Sequence, residues 1–229
     1  MSADLGNGYS EVAVVIPVFN EAGMIAEVVA EVKETFSNVI CVDDGSVDDS
    51  GRIAKEAGAK TYFHPMNLGQ GAALQTGIEA ALSMPEIKFL VTFDADGQHS
   101  VSDAVAMVER LREGDIEVVF GSRFLDERTE VGTLKKLVLK VAVFYTNALS
   151  GVKLTDAHNG LRAFTRNVAE SIELTHNGMA HATEIVNQIS RGKFKYTEMP
   201  VHIVYTEYSK AKGQSLWNSV NILFDLIFR

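Results

Sequence analysis

Two acidic side chains stand directly after an apolar run in the middle of the chain. The run 89–93 is followed by Asp94, Ala95 and Asp96. If this run forms a buried strand, both carboxylates lie at its C-terminal end. There they could hold Mg²⁺ or Mn²⁺ together with phosphate oxygens of a substrate. An acidic turn that caps the following helix could have the same sequence, so the neighbouring segments are needed to distinguish a metal site from a helix cap.

Two further turns of this kind favour a ligand site. An acidic pair at 43–44 follows the apolar run 39–42, and the run 12–18 leads into Phe19 and Glu21. An aromatic ring and a carboxylate in such a turn can reach the base or ribose of a nucleotide. Because ligands of open α/β sheets bind outside the carboxyl ends of the strands, neighbouring strands would direct these groups into one crevice.

Short apolar runs alternate with segments of helical periodicity around these turns. Continuous apolar runs predict strands buried on both faces, and apolar residues at helical spacing predict helices between them. The predicted strands are 12–18, 39–42, 60–63, 89–93 and 116–120, and the predicted helices are 21–36, 48–57, 70–83 and 102–112. This alternation predicts an α/β domain with a mostly parallel, Rossmann-like sheet and helices on both faces.

The second half of the chain has a mixed order of elements. The predicted helices are 133–150 and 182–190, the predicted strands are 161–165 and 193–205, and a strongly apolar segment follows at 215–228. No linker, repeat or low-complexity stretch divides the chain. We therefore predict one catalytic domain over 1–214 and an apolar C-terminal docking helix over 215–229.

The overall composition argues against several classes of protein. The 229 residues are 46% hydrophobic, which is enough for a sizeable core, and the net charge of -9 argues against a nucleic-acid binder. The single cysteine, Cys41, lies in an apolar run, which fits a structural thiol in a reducing cytoplasm. The sequence shows neither a signal-peptide pattern nor a run of about 20 apolar residues, so no spanning helix is predicted.

The three turns together resemble those of the family 2 glycosyltransferases, with further matches at 67–73 and 121–124. Within that family, the run Asp-Ala-Asp-Gly-Gln-His at 94–99 is similar to that of dolichol- and polyprenyl-phosphate sugar synthases. The resemblance covers most of the chain and implies a glycosyltransferase A-type fold. It also implies an inverting, metal-dependent transfer of a sugar from a nucleotide diphosphate sugar to a polyprenyl phosphate, in cell-envelope or glycan precursor synthesis.

The resemblance further implies roles for the residues at matching positions. Those expected at the nucleotide site are Pro17, Phe19, Glu21, Val42, Asp44, Asp94 and Ala95. Those expected to hold Mg²⁺ or Mn²⁺ are Asp94, Asp96 and Gln98, and the expected catalytic residues are Asp96 and Arg123. Those expected to meet the acceptor or the diphosphate are Arg123, Asp156, Arg162, Lys210 and Lys212. Uridine donors are mildly preferred over guanosine donors.

The acceptor decides whether the enzyme needs a general base. A phosphate monoester has its second pKa near about 6 and is already largely ionised at neutral pH. Transfer to a sugar hydroxyl of a polysaccharide or glycolipid would instead need a base, with Asp156 or Glu184 as candidates. A nucleotide-sugar-binding regulator without catalysis would be expected to lack the acidic pair or Arg123, and both are present.

Two segments have a pattern suited to a membrane surface or a small membrane-protein subunit. The segment 132–150 places Lys135, Lys136 and Lys140 among apolar residues, a basic amphipathic pattern. The segment 215–229 is strongly apolar and ends in arginine. Packing on the catalytic core or in a homo-oligomer is the alternative for both. We expect an enzyme that is peripheral on the cytoplasmic face of the membrane.

Overall fold

The computed structural model of the protein describes residues 8–126, 133–178 and 180–204, without the side chains at 133–138, 145 and 149. Strands and helices alternate regularly in the first half. These elements are β1 (Val12–Val18), α1 (Ile25–Lys33), β2 (Asn38–Asp43), α2 (Ser50–Glu56), β3 (Lys60–Phe63), α3 (Gln70–Leu82), β4 (Phe89–Thr92), α4 (Val101–Arg112) and β5 (Val118–Ser122). The second half contains α5 (Thr133–Ser150), β6 (Arg162–Thr165), α6 (Arg166–Ser171), α7 (His181–Gly192) and β7 (Tyr196–Pro200).

The described strands form one seven-stranded sheet in the order β3-β2-β1-β4-β6-β5-β7. The strands β3, β2, β1 and β4 pair in parallel, and β5 pairs in parallel with β7. The strand β6 is antiparallel to both of its neighbours, β4 and β5. This confirms the predicted α/β fold with a mostly parallel sheet and a mixed second half.

Both faces of the sheet are covered by helices, as the continuous apolar runs predict. Side chains in a strand point alternately to opposite faces, so β1 contributes Val12, Val14 and Ile16 to one core and Ala13 and Val15 to the other. The first core is completed by α1, α2 and α4, and the second by α3, α5, α6 and α7. The carboxyl ends of β1, β2 and β4 therefore share one edge of a rigid, doubly covered sheet.

Several element boundaries differ from the sequence prediction for identifiable reasons. The helix predicted from residue 21 begins at Ile25, and the residues before it form a turn in which the Glu21 amide donates to Ser50 Oγ at 2.7 Å. The strand predicted at 116–120 lies two residues later, where Val118 pairs with β6 and β7. The short helix α6 was not predicted. The predicted helix 215–228 lies outside the described residues.

Candidate active site

A cleft of about 460 Å³ opens at the carboxyl ends of β1, β2 and β4. It is bounded by the turns that follow these strands, by the start of α3 and by the loop before α7. Its lining residues are Pro17, Val18, Phe19, Glu21, Asp44, Asn67, Gly69, Gln70, Ala73, Asp94, Ala95, Asp96 and Gly178. The structure thus brings together six of the seven residues expected at the nucleotide site.

The exception is Val42, which does not line the cleft. Its side chain is fully buried in the core beneath β2. Residues along a strand alternate between faces, so in β2 only the turn after the strand reaches the cleft. Phe19 lies at the rim of the cleft and is 43% exposed, so its ring is accessible to a ligand.

Asp44 is held by three donors at the floor of the cleft. Its Oδ1 accepts from the backbone of Leu68 at 2.9 Å and lies 2.7 Å from His64 Nδ1, and its Oδ2 accepts from the backbone of Gly69 at 2.7 Å. The other ring nitrogen of His64 lies 3.0 Å from Thr76 Oγ1. A neutral imidazole satisfies both contacts when Nδ1–H donates to Asp44 and Nε2 accepts from Thr76. Sequence analysis did not identify His64, because it carries no motif of its own.

The loop before α7 closes the cleft against the start of α3. Gly69 has φ +100, and a Cβ there would lie 2.1 Å from the backbone oxygen of Asn177, so only glycine fits. The amide of Gly71 donates to the same oxygen at 2.9 Å. This close approach brings Gly178 to the cleft, a residue that sequence analysis missed. The two glycines at 69 and 71 were the available signal.

Asp94 and Asp96 are at the end of β4, and their electrostatic environments differ. Burial alone would raise the pKa of Asp94, but the hydrogen bond and charge of His99, 2.8 Å away, and the charge of Arg162 outweigh it and lower that pKa. The pKa of Asp96 is raised to about 6, chiefly by burial and then by the negative charge of Asp94. A cation bound between Asp94 and Asp96 would reduce the repulsion between the two carboxylates and stabilise their ionised forms.

The donor set fits a hard divalent cation that is shared with a substrate. In the part of the chain that the structure describes, no group of three His, Cys, Asp or Glu side chains could hold a metal by itself. Mg²⁺ and Mn²⁺ sites commonly combine one or two carboxylates with phosphate oxygens and water, which is what Asp94 and Asp96 leave room for. Gln98 is buried and lies off the cleft lining, and its backbone amide donates to Asp96 Oδ1 at 3.1 Å.

Arg123 follows β5 and forms a nearly buried ion pair with Asp156. The guanidinium Nε donates to Asp156 Oδ2 at 2.6 Å, and the two side chains are 12% and 0% exposed. Glu198 on β7 fixes the same loop by accepting from the backbone amides of Thr155 and Asp156. Asp156 therefore holds Arg123 and has no open path to an acceptor hydroxyl in this structure.

Arg162 and Glu184 lie away from the positions that the sequence suggested for them. Arg162, expected at the acceptor or diphosphate, is fully buried at 2% exposure. Glu184, a candidate base, accepts from the backbone amides of Thr175 and His176 and from Thr175 Oγ1, so it anchors the loop before α7. Neither side chain lines the cleft.

Two histidines, His158 and His181, have largely buried rings close to Arg162. Burial lowers the pKa of His158 and that of His181 to about 4 each. His181 Nδ1 lies 2.8 Å from the carbonyl oxygen of Gly178, to which it can donate. Both rings are therefore neutral at physiological pH.

The helix α5 exposes apolar side chains on the side of the molecule that carries Arg123. Phe144 is 75% exposed and Val141 46% exposed. A second hollow of about 460 Å³ is lined by Phe124, Lys140, Val143, Phe144, Asn147 and Thr155. The predicted contacts of Lys210, Lys212 and 215–229 fall outside the described residues, as do the side chains of Lys135 and Lys136. Within the described ranges, no helix combines the length and the hydropathy needed to cross a membrane.

The sequence of the chain is similar to those of known enzymes. The sequence model described as "Glycosyl transferase family 2" matches residues 13–173. The chain is 30% identical to a UDP-N-acetylglucosamine–dolichyl-phosphate N-acetylglucosaminyltransferase of Methanococcus voltae, over 93% of each chain. It is 29% identical to a polyprenol monophosphomannose synthase of Mycolicibacterium smegmatis, over 89% of this chain and 82% of that one.

A solved structure has the same fold. It is glucosyl-3-phosphoglycerate synthase from Mycobacterium tuberculosis in complex with Mn²⁺ and UDP-glucose, with a TM-score of 0.73. The alignment covers 96% of this chain and 77% of that one at 19% identity. With the family match over most of the sheet and an acidic pair in the cleft of a glycosyltransferase A-type fold, the chain belongs to glycosyl transferase family 2 and is a glycosyltransferase.

Proposed function

We propose that this enzyme transfers a sugar, with inversion and with the help of a divalent metal, from a nucleoside diphosphate sugar to a polyprenyl phosphate. One observation carries the choice of acceptor. The two carboxylates that the sequence suggests as bases for a hydroxyl acceptor are held by other groups, Asp156 by Arg123 and Glu184 by the loop at 175–176. An acceptor phosphate is already ionised and needs neither.

The donor fits the cleft at the ends of β1, β2 and β4. Pro17, Phe19 and Asp44 would surround the nucleoside, with the Phe19 ring stacking on the base. A uridine donor is supported by the Methanococcus relative, whose name includes a UDP-sugar, and by the Mycobacterium structure with UDP-glucose. The diphosphate would then extend toward Asp94 and Asp96.

A divalent cation bound by Asp94 and Asp96 would supply charge neutralisation for the leaving nucleoside diphosphate. The raised pKa of Asp96 supports this assignment, because burial and then the negative charge of Asp94 disfavour its ionised form, which a bound cation would favour. The role of Gln98 as a further ligand stays a proposal that would need its side chain to turn toward the cleft.

Arg123 would orient a phosphate group with its planar guanidinium, and the ion pair with Asp156 fixes its direction. In the reaction, an oxygen of the acceptor phosphate forms a bond to the anomeric carbon of the sugar. The bond from that carbon to the donor's phosphate oxygen breaks on the opposite face, and its electron pair leaves with the nucleoside diphosphate. The protein accelerates this step mainly by positioning and by electrostatic stabilisation.

A polyprenyl acceptor requires contact with a membrane, and α5 offers a surface for it. Phe144 and Val141 are exposed beside Lys140, which matches the basic amphipathic pattern of this helix. We infer that 215–229 docks on the membrane or on a small membrane-protein subunit, and that Lys210 and Lys212 approach the acceptor phosphate. The enzyme would then work as a peripheral protein on the cytoplasmic face. The dolichyl-phosphate and polyprenol relatives support this placement.

The deciding experiment incubates the full chain with a polyprenyl phosphate and a panel of nucleotide sugars, and detects glycosylated lipid by mass spectrometry. We expect a polyprenyl-phosphate sugar that forms with Mn²⁺ or Mg²⁺ and disappears with excess EDTA. Transfer to a water-soluble sugar with no product on the lipid would instead support a hydroxyl acceptor. Nucleotide-sugar binding with no transfer to any acceptor would indicate a binding protein.

A further inference from the structure

Arg162 is a charged side chain in the interior that the proposed reaction does not use. It is among the largest fully buried side chains of the described protein, at 2% exposure. Among the described residues it has one long hydrogen bond, from Nη2 to the carbonyl of Ala157 at 3.4 Å, and its buried Nε has no partner. Burying a guanidinium with so few hydrogen bonds is costly unless nearby charges offset the cost.

Two carboxylates of the candidate site supply that charge. Asp94 and Asp156 are the groups whose negative charges act on Arg162 against the effect of its burial. Asp94 belongs to the acidic pair in the cleft, and Asp156 holds Arg123. Arg162 therefore places a buried positive charge near one carboxylate of each half of the site.

The sheet places Arg162 between these two halves. Because β6 is inserted between β4 and β5, Arg162 is opposite Thr92 on one side and Phe120 on the other. Asp94 follows Thr92 by two residues, and Arg123 follows Phe120 by three. No other strand of the described sheet borders both β4 and β5.

The chain just before Arg162 is tied to the same two strands. Thr92 Oγ1 donates to the carbonyl of Gly160 at 2.6 Å, and the amide of Gly121 donates to the carbonyl of Leu161 at 3.0 Å. A Cβ at Gly160 would lie 2.1 Å from Asp94 Oδ2, so the backbone lies directly against that carboxylate. The position of Arg162 is thus fixed by backbone contacts on both sides.

We propose that Arg162 is a positioning residue. Its buried guanidinium, which β6 places between β4 and β5 and which reaches the carbonyl of Ala157 beside Asp156, stabilises the arrangement of Asp94 and Asp156 through its charge and thereby aligns the metal-binding pair with Arg123. It contacts neither donor nor acceptor. The inference rests on the proposed role of Asp94 in metal binding, but it does not depend on which acceptor the enzyme uses. Residues that support metal ligands from behind typically change metal affinity by about 10- to 100-fold when they are removed.

The test measures Mn²⁺ binding to the full chain in the presence of UDP, by electron paramagnetic resonance, for wild type, Arg162→Ala and Arg162→Met. We expect the affinity for Mn²⁺ to fall about tenfold or more in both variants. Millimolar guanidinium should restore binding in Arg162→Ala by occupying the space that the side chain leaves. Urea, which has a similar shape and no charge, should not.

A matched control is Arg166→Ala. The Arg166 guanidinium donates to the carbonyls of Leu82, Met84 and Ile87, so its loss should lower the melting temperature without changing Mn²⁺ affinity. If neither neutral variant of Arg162 folds, Arg162→Lys keeps a buried charge but loses the planar fork. We expect the lysine variant to fold and to bind Mn²⁺ measurably more weakly than wild type.

If a folded neutral variant binds Mn²⁺ as tightly as wild type does, the inference is wrong. If the neutral variants do not fold, the same result for Arg162→Lys would overturn it. Equal rescue by urea and guanidinium would also overturn it, because it would reveal a space-filling role. A wild-type protein that binds no Mn²⁺ with UDP would remove the metal site and this inference together. Failure to glycosylate a polyprenyl phosphate, with the expected Mn²⁺ results, would refute the proposed acceptor alone.

Discussion

Replacing His64 by alanine is expected to weaken nucleotide binding, although His64 is not among the residues that line the cleft. The imidazole contacts Asp44 on one side and Thr76 on the other, at 2.7 and 3.0 Å. Asp44 has a side chain that is 3% exposed, so water cannot easily replace the lost donor. The variant leaves a nearly buried carboxylate with backbone donors and no side-chain support.

The size of the effect follows from these contacts. A hydrogen bond to a charged group contributes about 1.5–3 kcal/mol, so the free energy of unfolding should fall by roughly that amount. A released Asp44 side chain must also be ordered again when the nucleotide binds, at a cost of about 0.5–1.5 kcal/mol. Since each 1.4 kcal/mol is tenfold, UDP affinity should fall by up to about tenfold.

Two conservative variants separate the two contacts of His64. The amide nitrogen of asparagine can take the position of Nδ1, so His64→Asn should keep the bond to Asp44 and bind UDP nearly as wild type does. Glutamine places its amide nearer the position of Nε2, so His64→Gln should resemble alanine. Isothermal titration with UDP and urea denaturation measure affinity and stability. If His64→Ala binds UDP as wild type does, or if the asparagine and glutamine variants are indistinguishable, Asp44 does not depend on His64.

Four further predictions concern the metal, the phosphate contact, acid stability and the membrane. Excess EDTA or Asp96→Ala should abolish transfer, and full activity in either case would refute the metal site. Arg123→Lys should lower kcat/KM by about tenfold or more, because an ammonium cannot form the bidentate contact, and near-normal turnover would make Arg123 structural. The pKa of His158 and that of His181 are lowered to about 4, so their stabilising contribution is present above about pH 6.5 and is lost as pH falls from there toward 4. The raised pKa of Asp96 acts in the opposite sense over the same window, so urea denaturation should show a smaller net loss of stability toward acid pH than the histidines alone would cause, and a gain in stability would contradict the burial of both rings. Deleting 215–229 should release the protein from liposomes or from its membrane partner while UDP and Mn²⁺ binding persist, and unchanged liposome binding would remove that segment from the interface.

The donor half of the site could be predicted because strand and ligand groups are adjacent in sequence. An apolar run that leads into Asp94 and Asp96 identifies both the strand and the edge at which its carboxylates lie. The same reasoning placed Phe19 and Asp44 at the cleft. Val42 shows the limit of a motif match, because its side chain is buried in the core although the turn after the same strand reaches the cleft.

The acceptor half depends on contacts between residues that are distant in sequence. Asp156 meets Arg123 across 33 positions with no periodic pattern, and in the donor half the contact of His64 with Asp44 across 20 positions escaped prediction for the same reason. The short strand β6 carries too few residues for its antiparallel direction to be inferred from composition. Burial of Arg162 follows from the position of β6 between β4 and β5, which the sequence does not reveal, so a polar loop motif suggested an exposed ligand-binding side chain instead.

The antiparallel strand β6 also marks a place at which the domain could be divided for protein engineering. The strands β3, β2, β1 and β4 are contiguous in sequence and hold the donor cleft, whereas β5 and β7 connect to them in the described sheet through β6 alone. With strands about 4.8 Å apart, this single strand separates the acidic pair from Arg123 by roughly two strand spacings. Exchanging the chain from β5 onward between relatives should therefore change acceptor choice while leaving donor choice intact. In such chimaeras, Gly160 should be exchanged together with Arg162 and the rest of β6.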